Sequence, residues 1–216
     1  MKKWRWEIII AGSIVLGVTA IILTKELNRK RRGKSKFRRD AVKVAIDEWQ
    51  KWNMGEAKEN SSKMYSRLRD YWRSVGWGDN AWTPSGVAWS SAFISYVMKK
   101  ANAGGDFKYS SSHSSYIRAA VKNRKQNNKN PFKAYRLNER KAEVGDLVCY
   151  ARQSGIGYDT ITGYKSHCDI IVGIDKGVAE VIGGNVSNSV TKKDIPLTTK
   201  GYVSGGGSRF TIIKTE

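Results

Sequence analysis

The sequence predicts an α+β domain in which N-terminal helices pack on an antiparallel sheet, preceded by one transmembrane helix. Three observations lead to this prediction. Residues 8–24 form an apolar run without a charged side chain. Residues 40–101 repeat apolar side chains at helical spacing, and residues 146–214 alternate short apolar runs with Gly-rich turns. Helices followed by neighbouring strands are typical of the α+β class.

The apolar run of residues 8–24 has the length of a short membrane span, because a helix rises about 1.5 Å per residue. A secretory signal peptide is the competing interpretation. No small-residue cleavage site followed by a neutral stretch is visible, and basic residues follow the run directly. We therefore expect residues 1–24 to be a retained anchor in membrane lipid, with Trp4 and Trp6 at the interface.

Positive charge dominates the composition, with a formal net charge of +20. About half of it lies in residues 1–39, and residues 25–39 form a basic stem after the apolar run. Such a stem predicts non-specific contact with nucleic acid or anionic lipid, and no motif for sequence-specific reading accompanies it. We expect a single-pass protein of a cell inner membrane or a virion inner membrane.

The side of the membrane that holds the C-terminal domain stays open at this point. The excess of Lys and Arg after the span places this domain on the cytoplasmic side by the positive-inside rule. A function outside the cytoplasm needs the opposite side, unless the membrane belongs to a virion or the span is released later.

The globular domain is predicted to cover residues 40–216. Asp40 is the expected N-cap of its first helix. Further helices are predicted over residues 61–75, 90–101 and 116–122, the last after a Ser-rich loop at 110–115. Strands are predicted over residues 146–151, 169–174, 178–182 and 210–214.

The two cysteines, Cys149 and Cys168, each lie in a predicted strand. Two buried free thiols are the simpler interpretation. If the strands are neighbours, the two can instead form a disulfide, which implies an oxidising compartment. No CxxC spacing occurs and the chain has only two histidines, so we expect no metal site and no cofactor.

Ser90 is the first candidate for catalysis, since it opens a predicted helix. Unpaired N–H groups at a helix start stabilise an attacking anion and a developing oxyanion. A serine nucleophile also needs an adjacent base. The competing interpretation is a simple N-cap, a position at which serine is favoured.

Two histidines and one asparagine are candidate partners for Ser90. His167 begins a predicted strand and is either a base or a structural histidine. Asn185 follows a strand in a Gly-rich turn, where its amide orients an imidazole or it simply forms the turn. His113 lies in the Ser-rich loop and is a base, a binding group or an exposed loop residue.

Several short segments resemble known families. WSSAF at 89–93, VGDLV at 144–148 and HCDIIV at 167–172 resemble papain-like peptidoglycan hydrolases of the NlpC and CHAP superfamily. AFISYVM at 92–98, GDLVC at 145–149, HCD at 167–169 and IGGNV at 182–186 are similar to a bacterial and phage branch known as a domain of unknown function. The resemblance covers roughly residues 41–214.

This resemblance implies a papain-like fold with Ser90 as nucleophile, His167 as general base and Asn185 as the orienting residue. The superfamily normally carries Cys at the position of Ser90. The substrate would contact Trp89, His113 and Asp169. A Trp-rich segment, with Trp72, Trp77, Trp82 and Trp89, either lines the groove or belongs to the core.

The resulting expectation is a membrane-anchored peptidoglycan hydrolase that cleaves an amide bond in cell-wall peptides. Two alternatives remain open because of the serine. One is a non-catalytic protein that binds an envelope component on the same fold. The other is a structural protein of a virion membrane whose basic stem contacts nucleic acid or anionic lipid.

Overall fold

The computed structural model describes residues 3–78 and 87–216, with the side chains of all of these except residues 3–23 and 30. The chain divides into two compact units, residues 1–36 and residues 37–216. All elements that build the candidate site belong to the second unit.

The first helix, α1, extends over Lys3–Lys51. Asp40 lies inside this helix, so its prediction as an N-cap is wrong. The basic stem offers no stop signal, because residues 25–39 contain no proline and only Gly33 as a weak helix former. Lys, Arg and Leu, which fill most of the stem, are good helix formers.

The predicted anchor of residues 8–24 lies within the backbone of α1. Apart from Thr24, its side chains fall outside the described residues, as do those of Trp4 and Trp6. Where side chains are described, no helix combines the length and the apolar character that a membrane crossing requires. The anchor therefore stays a prediction.

Three further helices precede the sheet: α2 (Tyr65–Ser74), α3 (Ser90–Lys100) and α4 (His113–Lys125). Short 3-10 helices occupy Asn53–Gly55, Ser62–Met64 and Gly104–Asp106. The predicted second and third helices are confirmed. The fourth begins three residues earlier than expected, because Ser112 is its N-cap and the end of the Ser-rich stretch forms its first turn.

Six antiparallel strands form one sheet in the order β1-β6-β2-β3-β4-β5, which confirms the α+β class. The strands are β1 (Phe132–Tyr135), β2 (Leu147–Ala151), β3 (Ser166–Asp175), β4 (Val178–Val186), β5 (Ser189–Pro196) and β6 (Arg209–Thr215). The sequence prediction lacked the two edge strands. β1 is very short, and β5 carries charged side chains in its middle, which is a common property of exposed edges.

Successive side chains of the central strands point to opposite faces of this sheet, as the two-residue period of a strand requires. The side chains on both faces are buried. Leu147, Cys149, Cys168 and Ile170 belong to the larger core, which also contains the helices. Val148 and Ile171, on the other face, join a smaller core. Both faces are therefore covered, which explains why the central strands are almost uniformly apolar.

Cys149 and Cys168 form a disulfide, so the simpler expectation of two free thiols is wrong. The two residues are direct partners in the β2–β3 ladder, and both are fully buried. The bond ties β2 to the strand that carries His167 and Asp169, immediately next to both residues.

The GDLV part of the family-like segments has a structural role. Gly145 adopts a φ of +93°, and a Cβ there would lie 3.0 Å from the Cβ of Arg38. Asp146 is fully buried and pairs with Arg38 and with Lys214, whose Nζ lies 2.6 Å from its Oδ2. Burial raises the pKa of Asp146 to about 6, while the charges of Lys214 and Arg38 oppose that rise. This cluster joins the C-terminal part of α1 to β6.

Candidate active site

A cleft of about 440 Å³ lies where β3 begins, β2 and β4 end, and α3 and α4 start. This arrangement brings residues from distant parts of the sequence to one place. The described side chains that line the cleft come from Ala88, Ser90, Ser111, Ser112, His113, Arg152, Tyr164, Lys165, Ser166, His167 and Asn185.

Ser90 and His113 form the closest polar pair in this cleft. Ser90 is the first residue of α3, His113 is the first residue of α4, and Ser90 Oγ lies 2.7 Å from His113 Nε2. The first N–H groups of a helix have no partner within the helix, and Ser90 stands at this end of α3. A hydroxyl, an imidazole and a helix N-terminus are thus combined at one point.

Tyr116 holds the other side of the His113 ring. It lies one turn further along α4, and its hydroxyl hydrogen-bonds to His113 Nδ1. Both side chains are buried. Burial and the neighbouring His167 lower the pKa of His113 well below its ordinary value, with Arg152 adding to this effect and Asp169 opposing it. His113 is therefore neutral at neutral pH and able to accept a proton.

His167 forms a second pair, with Asp169. The two alternate along β3 and so share one face of the strand. His167 Nε2 lies 2.7 Å from Asp169 Oδ1, and Lys193 Nζ lies 2.9 Å from Asp169 Oδ2. Burial alone would raise the pKa of Asp169, but the charges of His167 and Lys193 outweigh it and hold this pKa well below its usual range. Asp169 is thus an ionised acceptor.

The two pairs are neighbours, since the centroids of the His113 and His167 rings are 5.2 Å apart. The sequence prediction placed His167 against Ser90 and gave His113 and Asp169 to the substrate. The structure instead places His113 against Ser90, and Asp169 is a buried partner of His167. Ser90 Oγ and His113 Nε2 are within hydrogen-bond distance, whereas no hydrogen bond between Ser90 and His167 occurs among the described residues.

Asn185 lines the cleft at the end of β4. Its φ is +55°, and the β4–β5 register shifts there, so the left-handed turn geometry considered for this residue is confirmed. Among the described residues its amide makes no hydrogen bond to either histidine ring. The predicted orienting role falls to Tyr116 for His113 and to Asp169 for His167.

Trp89 does not reach the cleft. It is fully buried, stacks on Trp52 with ring centroids 5.0 Å apart, and donates from Nε1 to Glu59. Its predicted contact with substrate is therefore corrected to a core role. Trp72 is also in the core and stacks on the partly exposed Trp77, while Trp82 lies outside the described residues.

Two glycines on β4 make room for the site. A Cβ on Gly184 would lie 2.5 Å from the Cβ of Phe93 on α3. A Cβ on Gly183 would overlap Asp169 Oδ1 and lie 3.0 Å from His167 Nε2. The GGN segment therefore lets the sheet approach both α3 and the second histidine pair.

Sequence reasoning missed Tyr116 as a site residue. The signal was available, because His113 and Tyr116 are spaced i, i+3 and share a face once the helix begins at His113. Reading residues 110–115 as a loop hid this spacing. Where side chains are described, no group of three His, Cys, Asp or Glu converges on a point that suits a metal ion.

A comparison with family models identifies the family of this chain. Residues 47–211 match the model of a bacterial family described as an uncharacterized protein conserved in bacteria, DUF2272. The chain belongs to this family. The match runs from the last turn of α1 to the first residues of β6 and includes both histidine pairs of this DUF2272 domain. No curated protein and no solved structure matches the chain significantly.

Proposed function

We propose that this DUF2272 chain is a serine-dependent hydrolase with a papain-like site, anchored in the membrane by residues 8–24, which cleaves an amide bond in peptidoglycan peptides. The observation that carries the proposal is the 2.7 Å contact between Ser90 Oγ and His113 Nε2 at the start of α3. Nucleophile and base within hydrogen-bond reach are the basic requirement of this chemistry.

The first half of the reaction uses Ser90 and His113. Ser90 Oγ bonds to the substrate carbonyl carbon while its proton passes to His113 Nε2. The N–H groups in the first turn of α3 stabilise the negative charge that develops on the carbonyl oxygen. The C–N bond then breaks, and His113 gives its proton to the leaving nitrogen.

The second half, in which water releases the acyl group, is assigned to His167. An ionised carboxylate only accepts hydrogen bonds, so His167 donates from Nε2 to Asp169 Oδ1, which leaves Nδ1 as the nitrogen that can take a proton. Water attacks the acyl carbonyl carbon and gives a proton to Nδ1. That proton passes to His113 Nε2, whose ring centroid lies 5.2 Å from that of His167, and from there to Ser90 Oγ as the acyl–oxygen bond breaks.

The charge of the cleft supports an acidic substrate. Arg152 and Lys165 line it, both are exposed, and no carboxylate lies among the described lining residues. Arg152 acts electrostatically on His113, so it lies within reach of the reacting groups. A peptide that carries a carboxylate beside the cleaved bond satisfies these charges.

The Cys149–Cys168 bond supports placing the domain in an oxidising compartment, outside the cytoplasm. Since the two residues are the only cysteines in the chain, alkylation without prior reduction tests this directly. Full-length protein isolated from cells under acid quench should resist alkylation. Two free thiols in that sample would return the domain to the cytoplasmic side that the basic stem favours.

The activity test uses the full chain in detergent with purified cell-wall sacculi. Wild-type protein should release soluble peptides with new amino termini. Ser90→Ala and His113→Ala should each reduce this release by about 10³-fold or more. His167→Ala should still form the acyl-enzyme, which intact mass spectrometry would show as an adduct on Ser90.

The matched control is Ser95→Ala, which removes a hydroxyl of α3 outside the cleft. Release that persists in both Ser90→Ala and His113→Ala would overturn the assignment. Retained binding to sacculi without any release by the wild-type chain would favour the non-catalytic binding protein instead.

A further inference from the structure

The carboxylate of Asp169 is fully buried, and its two oxygens face different partners. Oδ1 lies 2.7 Å from His167 Nε2, on the same strand. Oδ2 accepts no directed hydrogen bond from the described residues, and Lys193 Nζ lies 2.9 Å from it as an ionic partner. A buried carboxylate without a compensating charge is costly, so the ammonium of Lys193 favours the ionised form of Asp169.

Lys193 reaches Asp169 from a strand that is not the neighbour of β3. Lys193 belongs to β5, and β4 lies between the two strands, so its side chain crosses β4. On this face of the sheet Gly183 of β4 has no side chain to occupy the space beside the carboxylate. The ammonium also lies 4.8 Å from the centroid of the Tyr150 ring, a distance at which an aromatic face attracts a cation. Tyr150 therefore helps to hold the ammonium at the carboxylate.

We infer that Lys193 is a positioning residue, which fixes Asp169 as an ionised acceptor and through it the ring of His167. An ionised carboxylate only accepts hydrogen bonds, so it orients the imidazole with Nε2 toward Oδ1. A protonated carboxyl group is also a donor and would not impose this orientation. The catalytic meaning of Lys193 rests on the proposed function, in which His167 serves the release of the acyl group.

The other titratable groups around Asp169 do not replace the charge of Lys193. Burial alone would raise the pKa of Asp169, but the charges of His167 and Lys193 hold it well below its usual range. Burial also lowers one further pKa and raises two others, which keeps three side chains that interact with Asp169 neutral at neutral pH: His113, Tyr116 and Tyr150. Lys193 is thus the permanent cation among these groups.

The protonation of Asp169 tests this inference, followed by the ¹³C signal of its carboxyl carbon in the full chain in detergent. Asp169→Asn assigns the signal. Lys193→Met keeps the apolar stem and removes the charge, so the midpoint of Asp169 protonation should move upward by about 1–3 pH units. Lys193→Arg keeps a cation and should bring the midpoint back toward that of the wild-type protein.

Lys192→Met is the matched control. Lys192 is the neighbour of Lys193 on β5 and points to the other face of the sheet, where its Nζ lies 2.7 Å from Glu180 Oε1. Its removal should leave the titration of Asp169 unchanged. An unchanged midpoint in folded Lys193→Met overturns the inference, as does an equal shift in Lys192→Met. A wild-type Asp169 that is protonated at about pH 5 overturns it without any variant.

The steps of turnover separate positioning from a general loss of structure. Because His167 is assigned to the second half of the reaction, Lys193→Met should still acylate Ser90 and then accumulate the acyl-enzyme, whereas Lys192→Met should turn over at the wild-type rate. Loss of acylation in Lys193→Met would overturn the assignment of Lys193 to the second half. If Asp169 titrates as expected but wild-type protein hydrolyses nothing, the positioning role stands and the proposed hydrolase function fails.

Discussion

At the scale of single residues, the serine at position 90 is matched to the histidine beside it. A Cys–His pair works as thiolate and imidazolium, which requires a charged ring. Burial lowers the pKa of His113 and disfavours that charge. A serine needs only a neutral base that accepts its proton during attack. A serine at position 90, rather than a cysteine, therefore agrees with the environment of this ring.

Ser90→Cys tests this match in a protein whose natural cysteines are both in a disulfide. Because the ring resists charging, the new thiol should stay largely protonated at neutral pH. We expect iodoacetamide to label it at a rate close to that of an ordinary thiol, and hydrolysis to fall well below the wild-type rate. Labelling is measured by mass spectrometry, with the wild-type chain as the unlabelled control.

Fast labelling of Ser90→Cys at pH values far below that of an ordinary thiol would contradict this prediction. It would show that a thiolate–imidazolium pair forms in the cleft.

The lowered pKa of His113 also predicts how stability depends on pH. Below about pH 6.5 the unfolded chain binds a proton on this histidine, whereas the folded chain does not. The free energy of unfolding should therefore decrease as pH falls below about 6.5. The lowered pKa of Asp169 acts in a separate window, since its contribution is lost only as pH falls below about 4.

The effect is measured by denaturant unfolding of the wild-type and His113→Gln proteins at pH values between about 4 and 6.5. The variant should show a flatter dependence of stability on pH near 6, because it lacks the group that titrates on unfolding. Identical slopes for the two proteins would show that His113 is not responsible.

At the scale of elements, the GGN segment of β4 allows helix α3 to pack on the sheet. Gly184→Ala places a Cβ 2.5 Å from the Cβ of Phe93, which is fully buried and has no room to move. We expect a loss of about 1–3 kcal/mol in the free energy of unfolding, the usual cost of overpacking. Activity should fall as well, since α3 carries Ser90.

Gly163→Ala is the control for this substitution, because no heavy atom lies within 4 Å of a Cβ at that position. Its effect should stay within about 0.5 kcal/mol. Equal losses from the two substitutions in urea unfolding would show that contact with α3 is not the cause.

The elements also show the limits of local patterns. The four predicted strands and the helices α2 and α3 could be predicted because each buries one or both faces. Burial imposes a regular spacing of apolar residues on each of these elements separately. Edge strands β1 and β5 escaped prediction because half-exposed strands tolerate polar residues. The start of α4 was missed since serine and histidine suit both a loop and a first helical turn.

At the scale of the whole molecule, the net charge of +20 predicts binding to anionic surfaces. Such binding depends on the release of counterions and weakens as ionic strength rises. The full chain, embedded in nanodiscs of neutral lipid, should bind vesicles of anionic lipid more strongly at low salt than at high salt. The same preparation should also bind DNA more strongly at low salt.

Co-sedimentation and DNA mobility shifts measure these two interactions. In a variant with Arg29, Arg31 and Arg32 changed to Gln, the affinity for anionic vesicles and the affinity for DNA should each depend less on salt. Binding that is insensitive to salt and to this variant would remove the basic stem as the binding element.

The sequence alone established the α+β class, the apolar run and the basic stem, and it marked Ser90 and His167 as candidates, because these depend on composition and short-range spacing. Tertiary structure decided which histidine contacts Ser90, that Asp169 is a buried partner, that Trp89 belongs to the core and that the two cysteines are bonded. Each of these facts depends on a distance between residues far apart in the chain. The order of residues along a sequence carries no such distance until the strands have paired and the helix starts have met.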